Sequence, residues 1–138
     1  MSSKKASALR QELDQLLCEI EQLGNTFSSR KPMWEGNVYV LRRRCGRPNC
    51  HCVDGKMHET TVLSDRSENS PRTITLKGPD IDRFQRMTEQ YTKFRKARAR
   101  VTKITKRILI LIDKLAEIRL KEGKKKKHKK KVKKGEIL

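Results

Sequence analysis

The sequence has little of what a large globular core is built from. Aromatic residues make up 4% of its 138 positions and hydrophobic residues 34%, against 37% charged. So few large apolar side chains cannot close a sizeable core, and stability must come from helix pairing, a metal staple or oligomerisation. No N-terminal stretch has the apolar centre of a signal peptide. The longest apolar run, Ile108 to Ile112, is far too short to span a bilayer. The expected location is therefore cytoplasmic and nucleoid-associated, with no membrane partner. A Gly-rich phosphate loop of the P-loop type is missing, and the carboxylates fall mainly at helix ends or on helix faces, so the chain is not expected to be an enzyme. Acid is scarce as well: 16 Asp+Glu stand against 35 Lys+Arg, a formal net charge of +19.

The excess of base is spread along the chain. From Lys121 onward ten lysines and two glutamates give +8, which leaves +11 of the +19 on residues 1–120. A basic tail alone would be an appendage, whereas a basic body implies a polyanionic partner, nucleic acid before anionic membrane.

Hydrophobic periodicity divides the chain. Ala6, Leu9, Leu13, Leu16, Ile20 and Leu23 recur at 3-4-3-4-3 spacing, a heptad seam on a helix for which Gly24 is a natural stop. Its polar face carries Glu12, Asp14, Glu19 and Glu21 against Arg10. Residues 25–36 read as a linker containing Pro32 and Gly36. NVYVLRR over 37–43, ETTVL over 59–63 and RTITL over 72–76 have strand composition. Gly78-Pro79-Asp80 then opens a long helix. Its seam runs Ile81, Phe84, Met87, Tyr91, Phe94, Ala97, Val101, Ile104, Ile108, Leu111, Leu115 and Ile118, unbroken until Gly123.

A helix of that length spans roughly 60 Å, more than a small sheet can cover, so its second half needs a partner. The acidic helix matches in length and seam, and an antiparallel pair within one chain or between two is expected. The expected fold is α+β: an acidic amphipathic helix (1–24), a linker (25–36), a small three-stranded antiparallel module with a zinc loop (37–77), a long basic helix pairing as a coiled-coil-like hairpin (78–122) and a disordered poly-Lys tail (123–138).

Three of the four cysteines lie in CGRPNCHC, residues 45–52. Cys45, Cys50, Cys52 and His58 form the pattern C-x4-C-x-C-x5-H, a complete tetrahedral zinc shell with no vacancy for substrate. Gly46, Pro48-Asn49 and Gly55 suit the tight turns such ligation requires. Arg42, Arg43, Arg44 and Arg47 beside the thiols favour the thiolate form. An iron–sulfur cluster normally takes four cysteines, and Cys18 lies far off on a helix. The C-x-x-C of a redox pair is absent, and a Cys50–Cys52 disulfide would close a strained ring. His51 is the alternative fourth ligand to His58.

The segment from the first strand into the long helix, residues 38–104, resembles a family of small uncharacterised bacterial and archaeal proteins. Its pattern is C-G-[KR]-P-x-C-x-C, a short Gly-containing loop, His, and a helix with a Tyr-x-x-Phe/Leu-Arg segment. Here these are CGRPNCHC, Asp54-Gly55-Lys56-Met57-His58 and Tyr91-Thr92-Lys93-Phe94-Arg95. Where members follow the His with Gly-Pro and aromatics, this chain has Glu59-Thr60-Thr61-Val62. The resemblance implies the same ligands, Cys45, Cys50, Cys52 and His58, and a mobile-element context with a DNA-associated role.

The residues expected to hold nucleic acid are Arg42, Arg43, Arg44 and Arg47 beside the zinc loop, and Lys93, Arg95, Lys96, Arg98, Arg100, Lys103, Lys106 and Arg107 on the long helix. Eight like charges within fifteen helical residues, with no acid among them, repel one another, and a polyanion would relieve that cost. The competing reading is that the N-terminal acids neutralise about half of them. DNA is favoured over RNA by the family context, and scarce exposed aromatics argue against single-strand recognition. The alternative function is a coiled-coil adaptor or regulator docking onto a recombinase or transposase, the tail being a generic anchor. A homodimer through the helices is the further partner expected.

Overall fold

The computed structural model describes residues 2–44, 55 and 57–135. In chain order it contains α1 (Ser2–Phe27), β1 (Gly36–Arg43), β2 (His58–Asp65), β3 (Arg72–Thr75) and α2 (Pro79–Gly135). The expected α+β architecture is present: an N-terminal helix, a three-stranded antiparallel sheet and a long C-terminal helix. These elements form two compact units, Met1–Ser28 with Ala97–Leu138, and Ser29–Lys96. The first turns of α2 thus belong to a sheet unit and the remainder to a helical unit.

The helical unit is an antiparallel pair within one chain. Arg100 bonds Glu19 and Arg107 bonds Glu12, so seven residues forward along α2 match seven residues back along α1. The heptad seam explains the pairing. Ala6 and Leu9 of α1 and Ala97, Ile104, Ile108 and Leu111 of α2 are buried, with Ile104 and Leu111 almost wholly so. The other seam positions of both helices within this unit are half-buried.

The sheet unit has strand order β1-β2-β3. The β1–β2 register runs from Gly36 opposite Asp65 to Arg43 opposite His58, and the β2–β3 register from Val62 opposite Thr75 to Asp65 opposite Arg72. As the central strand, β2 is covered on both faces at Val62 and Leu63, which point opposite ways and are both buried. Gly36 has a steric reason to be glycine, because a Cβ there would collide with the Ser64 carbonyl oxygen. Trp34, in the linker, is a plug. Its indole meets the Phe84 ring of α2 edge-on at 5.2 Å, and its backbone N–H donates to the Met87 carbonyl at 3.1 Å.

Two helix ends differ from the sequence expectation. Residue 24 does not stop α1: the Ser28 N–H donates to the Gly24 carbonyl at 3.0 Å, and the helix ends at Phe27. Nor does Gly123 stop α2, which continues through the lysine run to Gly135 where a disordered tail is expected. A lone glycine costs about 1 kcal/mol relative to alanine and lysine is a good helix former. Propagating an existing helix also avoids a new nucleation cost.

Candidate nucleic-acid interface and metal loop

Asp65 organises the sheet unit. It ends β2, is buried, and is surrounded by donors. The Ser67 hydroxyl and backbone N–H donate to Oδ1 at 2.6 and 2.9 Å, and Trp34 Nε1 donates to the same oxygen at 3.0 Å. Arg72 Nε donates to Oδ2 at 3.1 Å. These bonds, led by those from Ser67, outweigh burial and hold the Asp65 carboxyl far below the usual carboxylate range. Four donors and no acceptor make this a structural anchor, binding the linker, the end of β2 and the start of β3. By sequence, Asp65 falls outside the expected strands 59–63 and 72–76. The Ser67 bonds close an Asx turn, which Asp-x-Ser favours locally, but nothing local marks the bonds from Trp34 and Arg72.

The arginines of β1 lie at the end of the sheet unit that leads into the cysteine segment. Arg42 faces Glu59 across the ladder and pairs with it at 3.1 Å, both side chains remaining well exposed. Arg43 stands opposite His58, and Arg43 and Arg44 are exposed. Arg47, His51 and the three cysteines Cys45, Cys50 and Cys52 lie outside the described residues. His58 is the described member of the expected ligand set. It opens β2 directly opposite the residue that closes β1, which puts its backbone at the base of the connection that carries the cysteines. Gly55, within that connection, has φ 118°, a backbone region suited to glycine. Among the described residues no three or more His, Cys, Asp or Glu side chains come together as a metal site.

The cations of α2 sort into two groups. In the helical unit, Arg100 makes a two-pronged bond to Glu19, at 2.9 and 2.8 Å. That bond holds the Glu19 carboxyl below its ordinary value and raises the Arg100 guanidinium above its own. Arg107 grips Glu12 in the same manner at 3.0–3.2 Å. Arg98, Lys103 and Lys106 are exposed and have no carboxylate partner among the described residues. The acidic helix therefore satisfies two of the eight cations between Lys93 and Arg107, fewer than the half it could have neutralised.

In the sheet unit, Lys93, Arg95 and Lys96 line open grooves between the start of β1 and the first turns of α2. One groove is bounded by Asn37, Thr88, Glu89, Lys93 and Lys96. The adjoining one is bounded by Glu35, Asn37, Arg66, Arg95 and Lys96. The Arg95 guanidinium lies 6.0 Å from the Tyr91 ring centre and donates to the Tyr91 hydroxyl at 3.4 Å, which steadies its planar fork. Arg66 was missed from sequence. It lies immediately past the end of β2, where its backbone N–H donates to the Glu35 carbonyl at 2.9 Å, and it lines the same groove as Lys96.

Comparison with protein-family models, with curated proteins and with solved structures finds no match. Among the described residues no helix is long and apolar enough to cross a membrane.

Proposed function

We propose that the chain is a non-enzymatic, zinc-stabilised nucleic-acid-binding protein with DNA as its preferred partner, acting as an accessory factor of a mobile element. The carrying observation is the surplus of cations on α2 after internal pairing. Lys93, Arg95 and Lys96 in the sheet unit, and Arg98, Lys103 and Lys106 beside the acidic helix in the helical unit, are exposed with no carboxylate partner among the described residues. A protein that needed base only to hold α1 would require Arg100 and Arg107 alone. The remaining charges repel one another along the helix, and phosphates relieve that repulsion by counterion release.

The zinc reading rests on ligand chemistry. Three thiolates within eight residues, in a connection whose far end is His58 opposite Arg43, supply a complete structural shell. Such a site would fix Arg43 and Arg44 beside it. Arginine suits that position because its fork meets phosphate or a guanine edge with two bonds.

Anisotropy of labelled duplex DNA across a salt series tests the binding. The expected result is clear binding near about 150 mM salt with a log–log slope of several units, each phosphate contact contributing about 0.9. A chain with its ten tail lysines changed to glutamine should lose part of that slope and keep the rest. If that chain no longer binds, the tail is a generic anchor. The second reading then gains ground, a docking module for a recombinase or transposase, and the exposed Leu109, Ile112 and Leu120 of α2 are the observation in its favour.

A further inference from the structure

The helical unit is a single layer of two helices with one side closed and the other open. At 3.6 residues per turn, Glu12 and Glu19 lie on one flank of the α1 seam and Arg100 and Arg107 on one flank of the α2 seam. The ion pairs bring these two flanks together. The opposite flanks carry Leu17 on α1 and Leu109 and Ile112 on α2, exposed by 50%, 57% and 45%. Domains bury such surface between two packed layers, and among the described residues no second layer covers these three. The open side also carries charge of both signs: exposed Asp14 and Glu21, with Arg10 one heptad before Leu17, on α1, and exposed Arg98 and Arg119 on α2. None of the five is in an ion pair among the described residues.

We propose that this open side is a dimer interface, in which a second copy of the chain supplies the missing layer and the two helix pairs pack as four helices. The patch is self-complementary in the sense a twofold axis demands. It is apolar at the centre, with two acids and one base on α1 and two bases on α2, so a twofold axis running along the helices sets each copy's net acidic helix against the other's basic one. Self-association of a chain with net charge +19 also needs local acid at the contact, and α1 supplies it. An unrelated helix would need no such patch of both signs. Arg98 then belongs to the protein interface, and Lys103 and Lys106 remain for the nucleic acid. The dimer does not require nucleic-acid binding, although it removes Arg98 from the surplus available to phosphate.

Sedimentation velocity on the full chain without nucleic acid is the test, and a dimer is expected. Leu17→Asp and Ile112→Asp should each weaken it by at least about tenfold in dissociation constant. Both side chains are already half exposed, and circular dichroism should show the helices retained. Should either variant unfold, exposed charges give an independent reading. Asp14→Lys with Glu21→Lys should weaken the dimer, as should Arg98→Glu with Arg119→Glu, and the four changes together should restore it. A chain that sediments as a monomer at the highest soluble concentration overturns the proposal. So does a dimer indifferent to Leu17→Asp and Ile112→Asp, or charge variants whose combination restores nothing.

Discussion

The two units of this molecule solve the shortage of apolar residues in opposite ways. The helical unit spreads its stability along a seam in which Ile104 and Leu111 are the large, nearly fully buried side chains, framed by ion pairs that remain partly exposed. Pairs of that kind contribute little, so its strength lies in repetition. The sheet unit concentrates its stability instead. Leu63 and Asp65, two residues apart on one face of β2, are both almost completely buried. Around them gather a tryptophan, an arginine and a turn. A distributed seam tolerates the loss of any one charge, whereas a concentrated hub does not.

The sharpest way to break the contrast is through the two cores. Leu63→Ala should cost about 2–5 kcal/mol and fall mainly on the sheet unit. Trp34 is the chain's one tryptophan and bonds directly to Asp65, so its fluorescence follows that unit, while far-ultraviolet circular dichroism follows mainly the helices. The expected outcome is a large downward shift of the tryptophan transition with a smaller shift of the helical one. Leu111→Ala should reverse the order. Identical shifts in both signals for both variants would mean one cooperative structure, and the contrast would fail.

The hub itself comes next. All four partners of Asp65 donate, so Asp65→Asn sets an amide N–H₂ among donors with no acceptor. The tryptophan transition should fall clearly, though less than with Leu63→Ala. The pH dependence has a definite sign. A carboxyl held far below its ordinary value in the folded state contributes stability that is fully present above the unfolded carboxylate pKa. That contribution is lost as pH falls through the lower folded value. Acid titration should therefore unfold the Trp34 environment of the natural chain progressively below the usual carboxylate range. Asp65→Asn should flatten the profile there, and an unchanged profile would remove Asp65 from the account. A smaller effect in the same unit is expected from Gly36→Ala. It forces the start of β1 away from the Ser64 carbonyl and should cost about 1–3 kcal/mol, read in the same fluorescence melt.

The two units were not equally legible from sequence. The helix pair could be read almost whole, because a 3-4 apolar repeat has one structural meaning and its seam residues are indeed those turned inward. The strands were likewise legible from their β-branched content, to within two residues at each end. The glycines misled: Gly24 and Gly123 stop a helix only where nothing beyond them favours continuing, which is a property of the following turns. The choice between pairing in one chain and between two was also hidden, since a seam does not say whose helix it meets. Asp65 was hidden for a deeper reason. A carboxylate becomes a hub only when residues 31 positions back and 7 positions on converge on it, and no local pattern records that. Of the expected binding set, the sequence could not say that Arg100 and Arg107 have acidic partners while Lys103 and Lys106 have none among the described residues. That distinction is one of helix flank rather than composition.

It also supplies the mildest perturbation, one that separates structure from function. Glu12→Gln with Glu19→Gln removes both acids that hold Arg100 and Arg107. Stability of the helical unit should barely move, because the apolar seam is untouched and each pair is partly exposed. Nucleic-acid binding should change more, since two guanidinium groups formerly engaged with carboxylates become available and the repulsive charge of two acids is gone. The salt slope should rise by about one for each arginine that reaches a phosphate, with tighter binding at low salt. Equal binding by both chains would place Arg100 and Arg107 out of reach of the phosphates and confine the interface to other cations. A large loss of helicity instead would show that the ion pairs, and not the seam, hold α1 in place, and the picture of a distributed helical unit would have to be reversed.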